Sequence, residues 1–538
     1  MNIIKKSGWI VLTLFFVLVL AACGSNASTD SNDTENTPST SESVNGNENT
    51  ELEYKDDLNI ALTAQPPTLD TPITVSAVAL DTAGNIFEQL FTLNADYEPV
   101  PVLAESVEIS DDGLTYTFPL RQGVKFHNGK EMVAEDVVAS MNRWLVNSSR
   151  AKTLLPNANF EEIDPYTVKL TVEDATSDVL ILLSAQAQFG SIVPKEIIDS
   201  ASAEGITEYI GTGPYKFEEW RQDQYIHLVR FDEYHNSLQN DPSGFDGRKE
   251  APTENLYFHF VTDHSTRIAG IKTGQYDVAD SIPLENYDEL VADNNLDVQS
   301  FPGGALTAFF NTSEGLLADV NIRQAILAAF NNEEIMLASF TKPDLYTLHP
   351  GYLNQNQVQW SNEAGAEYYN QADPDKAKAL LDEAGYNGEE ITLLTTRDYN
   401  EMYTATLVIQ EQLRQIGMNV KVENYDFPTF LETKNDTSKW DIFVASTGYQ
   451  LTPPQLLAVN PDWAGLDNET VKQALIEIRS ASTPEQAKAE WEKLQGFMYE
   501  HASSTVIGHY NGVVAINKDL EGFELYEAPV VWNAKLPK

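Results

Sequence analysis

The stretch Tyr116-Thr117-Phe118-Pro119-Leu120-Arg121-Gln122-Gly123-Val124-Lys125-Phe126-His127-Asn128-Gly129 sets the terms for the rest of the chain. Leu114, Tyr116, Phe118 and Leu120 alternate with polar residues, which predicts a strand over 114–120 with one buried face. Gly123 and Gly129 bound a turn and are positions where a positive or otherwise unusual φ is expected. Beyond them Ala134, Val138, Met141 and Leu145 recur at helical spacing, so a helix follows the turn. Arg121 reads as a strand-end ion pair or a ligand arginine. His127, in a glycine-bounded turn, reads as an exposed or hydrogen-bonding histidine before a metal ligand.

Outward from this stretch the pattern is mixed. Leu58-Asn59-Ile60-Ala61-Leu62 alternates as a strand, and Gln65-Pro66-Pro67-Thr68-Leu69-Asp70-Thr71-Pro72 is a loop whose prolines exclude regular structure. A helix is expected over 79–90. After the Asp164-Pro165 turn, Tyr166, Val168, Leu170 and Val172 alternate as another strand. The second half has a different texture. Asp373 is an N-cap candidate with Pro374 at the first helical position and Gly385 past the last turn. The strand 391–394, a helix over 403–416 ending at Gly417, and a strand from Val420 form a βαβ unit, which requires a parallel pair with a right-handed crossover. A further strand is expected over 440–444.

Four segments in order carry a family resemblance: 116–129 with Ala134-Glu135-Asp136-Val137; Gly211-Thr212-Gly213-Pro214-Tyr215-Lys216-Phe217; Thr266-Arg267 with Gly274-Gln275-Tyr276-Asp277-Val278; and Asp319-Val320-Asn321-Ile322-Arg323-Gln324-Ala325-Ile326. Together they resemble the solute-binding receptors of peptide, nickel and related ABC importers, the family 5 class, over about 58–538. The resemblance implies an α/β, two-lobed periplasmic-binding-protein type II fold with an extra subdomain in the first lobe and a hinge between the lobes. It places lobe I at 58–305 with the subdomain at about 100–209, lobe II at 306–505, and a return to lobe I over 506–538. Interlobe crossings are then expected near 303–311 and 503–515.

The same resemblance supplies the candidate ligand contacts. Thr74, Val75 and Ser76 follow the proline loop where the family lines its cleft from the first lobe. Arg397 and Tyr399 follow a strand, in the segment where dipeptide binders carry an arginine for the ligand carboxylate. A planar guanidinium suits that bidentate task, and a surface ion pair is the alternative. Ser446, Thr447, Gly448, Tyr449 and Gln450 match the loop that meets a bound peptide's backbone. Peptide-binding members carry an acidic residue there. This chain reads Tyr449-Gln450-Leu451-Thr452-Pro453-Pro454, with no carboxylate, and Tyr449 could offer a π-face to a cation instead. Peptide leads as the ligand class, with a nickel chelate, an opine or a sugar-like solute as alternatives.

The amino terminus fits an extracytoplasmic receptor. Lys5 and Lys6 precede an apolar run from Trp9 to Leu20, and Leu20-Ala21-Ala22-Cys23 ends in the one cysteine among 538 residues. A basic start, a short apolar core and a small-residue exit make a secretory signal over 1–22. The cysteine at the cleavage point resembles a lipobox, which implies lipidation of Cys23; an ordinary signal peptide is the alternative. The segment after it, to about 57, has almost no apolar residues and cannot bury enough surface to fold, so 23–57 reads as a lipidated cysteine and a tether on the outer face of the cytoplasmic membrane.

Charge and motif content narrow the function. With 81 acidic against 34 basic residues, the net charge of −47 opposes binding to nucleic acid or anionic lipid surfaces. No GxSxG, HExxH, Walker or GxGxxG motif occurs, and no cofactor or metal is expected. The chain reads as a monomeric receptor that is not an enzyme and whose partners are a ligand, a permease with its ATPase subunits, and the membrane. A lipid-anchored hydrolase and a surface adhesin are the competing classes.

Overall fold

A computed structural model of the chain describes residues 52–538, apart from 203, 237, 461–467 and 482. The expected signal segment, Cys23 and most of the 23–57 tether lie outside the described residues. Ordered pairing starts earlier than the expected boundary at 57. Tyr54 bridges Pro537, the Lys55 amide donates to the Leu536 carbonyl at 2.8 Å, and the Lys55 ammonium lies 3.2 Å from Asp277.

The fold is two-lobed α/β, organised by one eleven-stranded sheet. Its order runs Asn419–Tyr425, Glu390–Thr396, Ile442–Gly448, Leu296–Phe310, Ser504–Asn517, Val278–Ala279, Asp57–Leu62, Asn255–Phe260, Tyr225–Arg230 and Tyr215–Arg221, with Tyr346–Thr347 also paired to Ser504–Asn517. The βαβ unit is present: Glu390–Thr396 and Asn419–Tyr425 are parallel, joined by the helix Asn400–Gln415. Its start signal also works as chemistry demands upstream, where the Asp373 carboxylate accepts the Lys376 amide to cap Pro374–Glu383.

Two long antiparallel strands, Leu296–Phe310 and Ser504–Asn517, belong to both halves of this sheet. Their register shifts between Pro302 and Gly304, opposite Tyr510–Gly512. On one side of the shift Val514 and Ile516 join a core with Leu58, Ile60 and Phe258; on the other, Leu306 and Phe310 join Ile326, Ile391 and Ile409. Glycine is required at the shift. Gly304 has φ +150°, and a Cβ there would sit 1.9 Å from the Thr447 carbonyl oxygen.

A separate four-stranded sheet, in the order Glu108–Ile109, Thr115–Pro119, Thr167–Thr171, Asn159–Asp164, packs under the helix Ala134–Asn147 with its own core of Phe118, Phe160, Met141 and Trp144. The stretch 114–145 therefore forms the strand, turn and helix its periodicity predicts.

Several local expectations change. The helix expected over 79–90 is only Ala77–Ala83, because the carbonyls of Asn85 and Ile86 instead accept the amides of Tyr215 and Gly213. Gly123 and Gly129 do adopt positive φ, 75° and 82°. Gly211 and Gly213 do not. They are needed for close approach, since a Cβ would lie 2.1 Å and 2.7 Å from the Ile86 carbonyl oxygen. Among the described residues Arg121 makes no ion pair; its Nε donates to the Val102 carbonyl at 2.6 Å. His127 ties two of the quoted segments together. Its Nδ1 accepts the Gly211 amide at 3.2 Å and its Nε2 lies 3.0 Å from the Gly213 carbonyl, and burial lowers its pKa to about 4, keeping it neutral.

Candidate functional site

The cleft between the lobes has a hinge end and an outer end. At the hinge end Ser446, Thr447 and Gly448 are not a loop as expected but the last residues of the strand Ile442–Gly448, paired with Leu306, Ala305 and Gly304. Their backbone groups on that side are committed to the sheet. The Ser446 hydroxyl donates to Glu401 Oε1 at 2.8 Å, and the Thr447 hydroxyl to the Ala305 carbonyl at 3.2 Å. The Tyr510 hydroxyl reaches the Thr447 carbonyl at 3.3 Å, and burial raises the Tyr510 pKa, with the charge of Glu401 adding to it.

Arg397 and Tyr399 follow the strand Glu390–Thr396 at its carboxyl end, as expected, and both are exposed. The Arg397 guanidinium lies over the Tyr403 ring at 4.8 Å and donates to its hydroxyl at 2.9 Å. Tyr399 meets Phe427 edge to face at 4.6 Å.

Across the cleft, Thr74–Ser76 leads into the helix Ala77–Ala83. Thr74 is buried and its hydroxyl accepts the Ser76 amide, whereas Val75 is 74% exposed. That helix carries Asp81, whose carboxyl is pushed well above the usual range by burial and by the charge of Asp280. Asp280 follows the strand Val278–Ala279 and is itself raised by burial. Among the described residues no hydrogen bond or ring contact joins 74–76 to the 446–450 segment.

At the outer end the lobes touch. Tyr449 stacks on Tyr97 at 5.2 Å, and Tyr97 packs against Tyr526 at 4.9 Å, so one ring from the second lobe closes on two from the first. The Tyr449 hydroxyl donates to Asn356 Oδ1 at 2.7 Å. Gln450 Oε1 accepts from Arg150 at 3.5 Å. Leu451 packs with Leu93 and Ala185 beneath the rings. Further along, Arg479 Nε donates to Asp178 at 2.9 Å and its Nη2 to the Leu154 carbonyl at 2.6 Å, while the Ser177 amide donates to the Arg479 carbonyl. A cavity of about 490 Å³ lies beside this pair, lined by Tyr116, Thr176 and Ile181 on one side and Trp360 and Thr452 on the other.

The site residues thus fall into groups that the fold treats differently. Tyr449 and Gln450 are brought against Tyr97 and Arg150, none of which is joined to Thr74–Ser76 or Arg397. Tyr97, Arg150, Tyr526 and Glu527 were not among the sequence candidates. They are single residues in turns or at a helix start, and no periodicity or spacing marks them. Among the described residues no group of three or more His, Cys, Asp or Glu could hold a metal ion, and no helix is long and apolar enough to cross a membrane.

Two lobes, joined by a pair of long crossing strands and closed on one another at the far end of a cleft, define a hinged receptor for a small solute. The family described as bacterial extracellular solute-binding proteins, family 5 middle, matches residues 98–465, and the chain belongs to that family. It is 24% identical over 482 residues to a probable peptide ABC transporter periplasmic-binding protein, y4tO, of Sinorhizobium fredii, covering 86% of this chain and 90% of that protein. It is 27% identical over 378 residues to the glutathione-binding protein GsiB of Salmonella typhimurium, covering 69% and 70% respectively. In fold it is similar to the substrate-binding protein CtaP of Listeria monocytogenes, with a TM-score of 0.76 at 23% identity over 87% of this chain and 96% of that one. It is also similar to the oligopeptide-binding protein AppA of Bacillus subtilis, solved with a nonapeptide, with a TM-score of 0.70 at 21% identity over 91% of this chain and 100% of that one.

Proposed function

We propose that this protein is the extracytoplasmic receptor of an ABC importer, and that it captures a peptide in the interlobe cleft and presents it to a membrane permease. The observation that carries this reading is the pairing of a two-strand hinge with side-chain closure at the opposite end of one cleft. Such a device encloses a ligand and releases it intact, which is recognition without bond-breaking. Relatives named for peptide and glutathione binding favour a peptide over other solutes. The contacts we assign to the ligand are those of Ser446–Gln450 and Tyr399 from one lobe and Thr74–Ser76 from the other, with Arg397 as a further candidate.

The receptor works as a monomer tethered through lipid on Cys23 at the outer face of the cytoplasmic membrane, beside the permease. The test is mass spectrometry of small molecules released on denaturing the purified protein, followed by solution scattering with the molecule found. A released peptide that reduces the radius of gyration supports the reading. A non-peptide solute that does the same overturns the ligand class, and turnover of any candidate would overturn the receptor role. Replacing Cys23 by Ala tests the anchor separately, through loss of lipid labelling.

A further inference from the structure

Close to the carboxyl terminus the chain forms a small hairpin, Glu524–Leu525 paired with Pro529–Val530. Its tip closes through the Tyr526 amide on the Ala528 carbonyl at 3.2 Å, which presents Glu527 at the turn. Tyr526 faces the interlobe ring stack and is braced behind by Phe245, with ring centroids 5.0 Å apart. Glu527 Oε1 is buried and has no hydrogen-bond partner.

A buried carboxylate oxygen without a partner is costly, and the interior normally supplies a cation or donors. Here Arg150 acts on Glu527 through its charge, but among the described residues no ion pair joins them. Its guanidinium turns instead to Gln450. Tyr97, Tyr449 and Tyr526 are the other titratable groups around the tip, with Asp96 acting on Tyr526, and all three phenols are held protonated by burial. Burial pushes the Glu527 carboxyl up to about 7, with Arg150 opposing, so at neutral pH it stands ready to ionise against a positive partner. Tyr97, Tyr449 and Tyr526 crowd around this carboxyl, and a carboxylate among aromatic rings suits a compact cation. The loop that closes over it, Tyr449-Gln450-Leu451-Thr452, carries no acid of its own.

We propose that Glu527, at the tip of the carboxyl-terminal hairpin and beneath the rings of Tyr97, Tyr449 and Tyr526, is the subsite for a ligand's ammonium group. It rests on the peptide-receptor reading and specifies it: the ligand carries a free amine, and the charge that meets it comes from the first lobe. Closure of Tyr449 over the group completes the aromatic wall, so the amine is bound across the lobe boundary and favours the closed state.

The experiment measures binding of a mixed library of unblocked pentapeptides, and of the same library N-acetylated, to the parent protein, Glu527→Gln and Glu527→Asp. Glu527→Gln keeps shape and removes only charge, and an unliganded melting curve confirms folding. The expected result is that unblocked peptides bind the parent about ten- to a hundredfold more tightly than acetylated ones, and that Glu527→Gln erases the difference. Glu527→Asp should restore part of it. Equal binding of both libraries by parent and variant overturns this subsite while leaving the peptide reading intact. Failure of both libraries to bind the parent overturns the peptide reading and the subsite with it.

Discussion

At the hinge, the lobes are joined by backbone. Leu296–Phe310 and Ser504–Asn517 pair along nearly their whole length, and the register shift at Gly303 is hemmed by Tyr510 and by the Thr447 carbonyl. At the outer end they are joined mainly by side chains, the tyrosine stack, the Arg150–Gln450 contact and the Arg479–Asp178 pair, with a single backbone bond from the Ser177 amide to the Arg479 carbonyl beside them. A hydrogen-bonded ladder cannot be undone without unfolding a strand. Side-chain contacts between preformed surfaces can be exchanged for water at modest cost. The difference assigns tasks: the hinge fixes the axis of motion, and the outer contacts set how much of the population is closed.

The sharpest break in this comparison is at Gly304. Gly304→Val places a branched side chain at φ +150° with its Cβ overlapping the Thr447 carbonyl. Relief requires separating the strands Leu296–Phe310 and Ile442–Gly448, so we expect a loss of at least about 3 kcal/mol of stability, or failure to fold. Chemical denaturation followed by circular dichroism measures it. A variant as stable as the parent would mean that the hinge ladder yields far more easily than its geometry implies.

Next comes Arg479→Ala. It leaves Asp178, whose side chain is 3% exposed, without its cation. Breaking a buried pair costs about 3–5 kcal/mol when the structure stays shut. Here opening the cleft offers Asp178 water instead, so the loss should appear as an open population rather than as unfolding. Scattering should report a larger radius of gyration with an almost unchanged melting curve, and adding Asp178→Asn should bring the radius back. A lowered melting temperature at constant radius would mean that this end of the cleft is as rigid as the hinge.

A smaller effect is expected from pH. The Glu527 carboxyl in the closed structure is raised to about 7, mainly by burial, against a reference near 4.3. The closed form therefore holds a proton that the open form releases. Its advantage is complete below pH 4 and is lost as pH rises to about 7, by about 2 kcal/mol after allowing for the part of the side chain left in water. His127 and His509, buried and neutral with pKa values of about 4, act on folding rather than closure, since acid favours the unfolded chain that can charge them. The measurement is thus a difference, Glu527→Gln minus parent, in closed fraction between pH 5 and pH 8. A flat difference would mean that Glu527 is already hydrated in the closed cleft.

Sequence periodicity revealed the parts of the molecule built from backbone, and it was blind to the outer end of the cleft. Leu114 to Leu120, the face from Ala134 to Leu145 and the βαβ unit over 391–425 each announce themselves because burial must repeat with the period of the element. The helix expected to continue to residue 90 failed because Asn85 and Ile86 spend their carbonyls on the amides of Tyr215 and Gly213 respectively, a long-range demand that no local pattern records. Ser446–Gly448 was expected as a loop from the family resemblance, after a strand ending at 444, yet the backbone pairing with Gly304–Leu306 continues without apolar side chains. Tyr97, Arg150 and Glu527 meet only through the closure of the fold. The missing acid in the 449–454 segment was legible, and the carboxylate at the hairpin tip was not, because its neighbours in space lie in three separate parts of the chain.

The smallest expected effect concerns Arg397, the residue a carboxylate-binding arginine in this segment would be. Its guanidinium is exposed and already engaged, lying over the Tyr403 ring and donating to the Tyr403 hydroxyl. A ligand carboxylate that recruited it would have to take it from that partner in open solvent, where cation–π contacts are worth about 0.5–1 kcal/mol and exposed ion pairs about as much. The two nearly cancel, so Arg397→Ala should weaken peptide binding by less than about fivefold. Arg150 donates to Gln450 and acts by charge on Glu527, so it would repel an ammonium bound there, and Arg150→Ala should leave binding of an unblocked peptide unchanged or tighter. Isothermal titration of both variants against the same unblocked peptide measures the two effects. If Arg397→Ala costs far more than fivefold, the carboxylate end of the ligand is read beside the exposed start of the Asn400–Gln415 helix, and the strong electrostatic contacts lie nearer the hinge than the outer mouth.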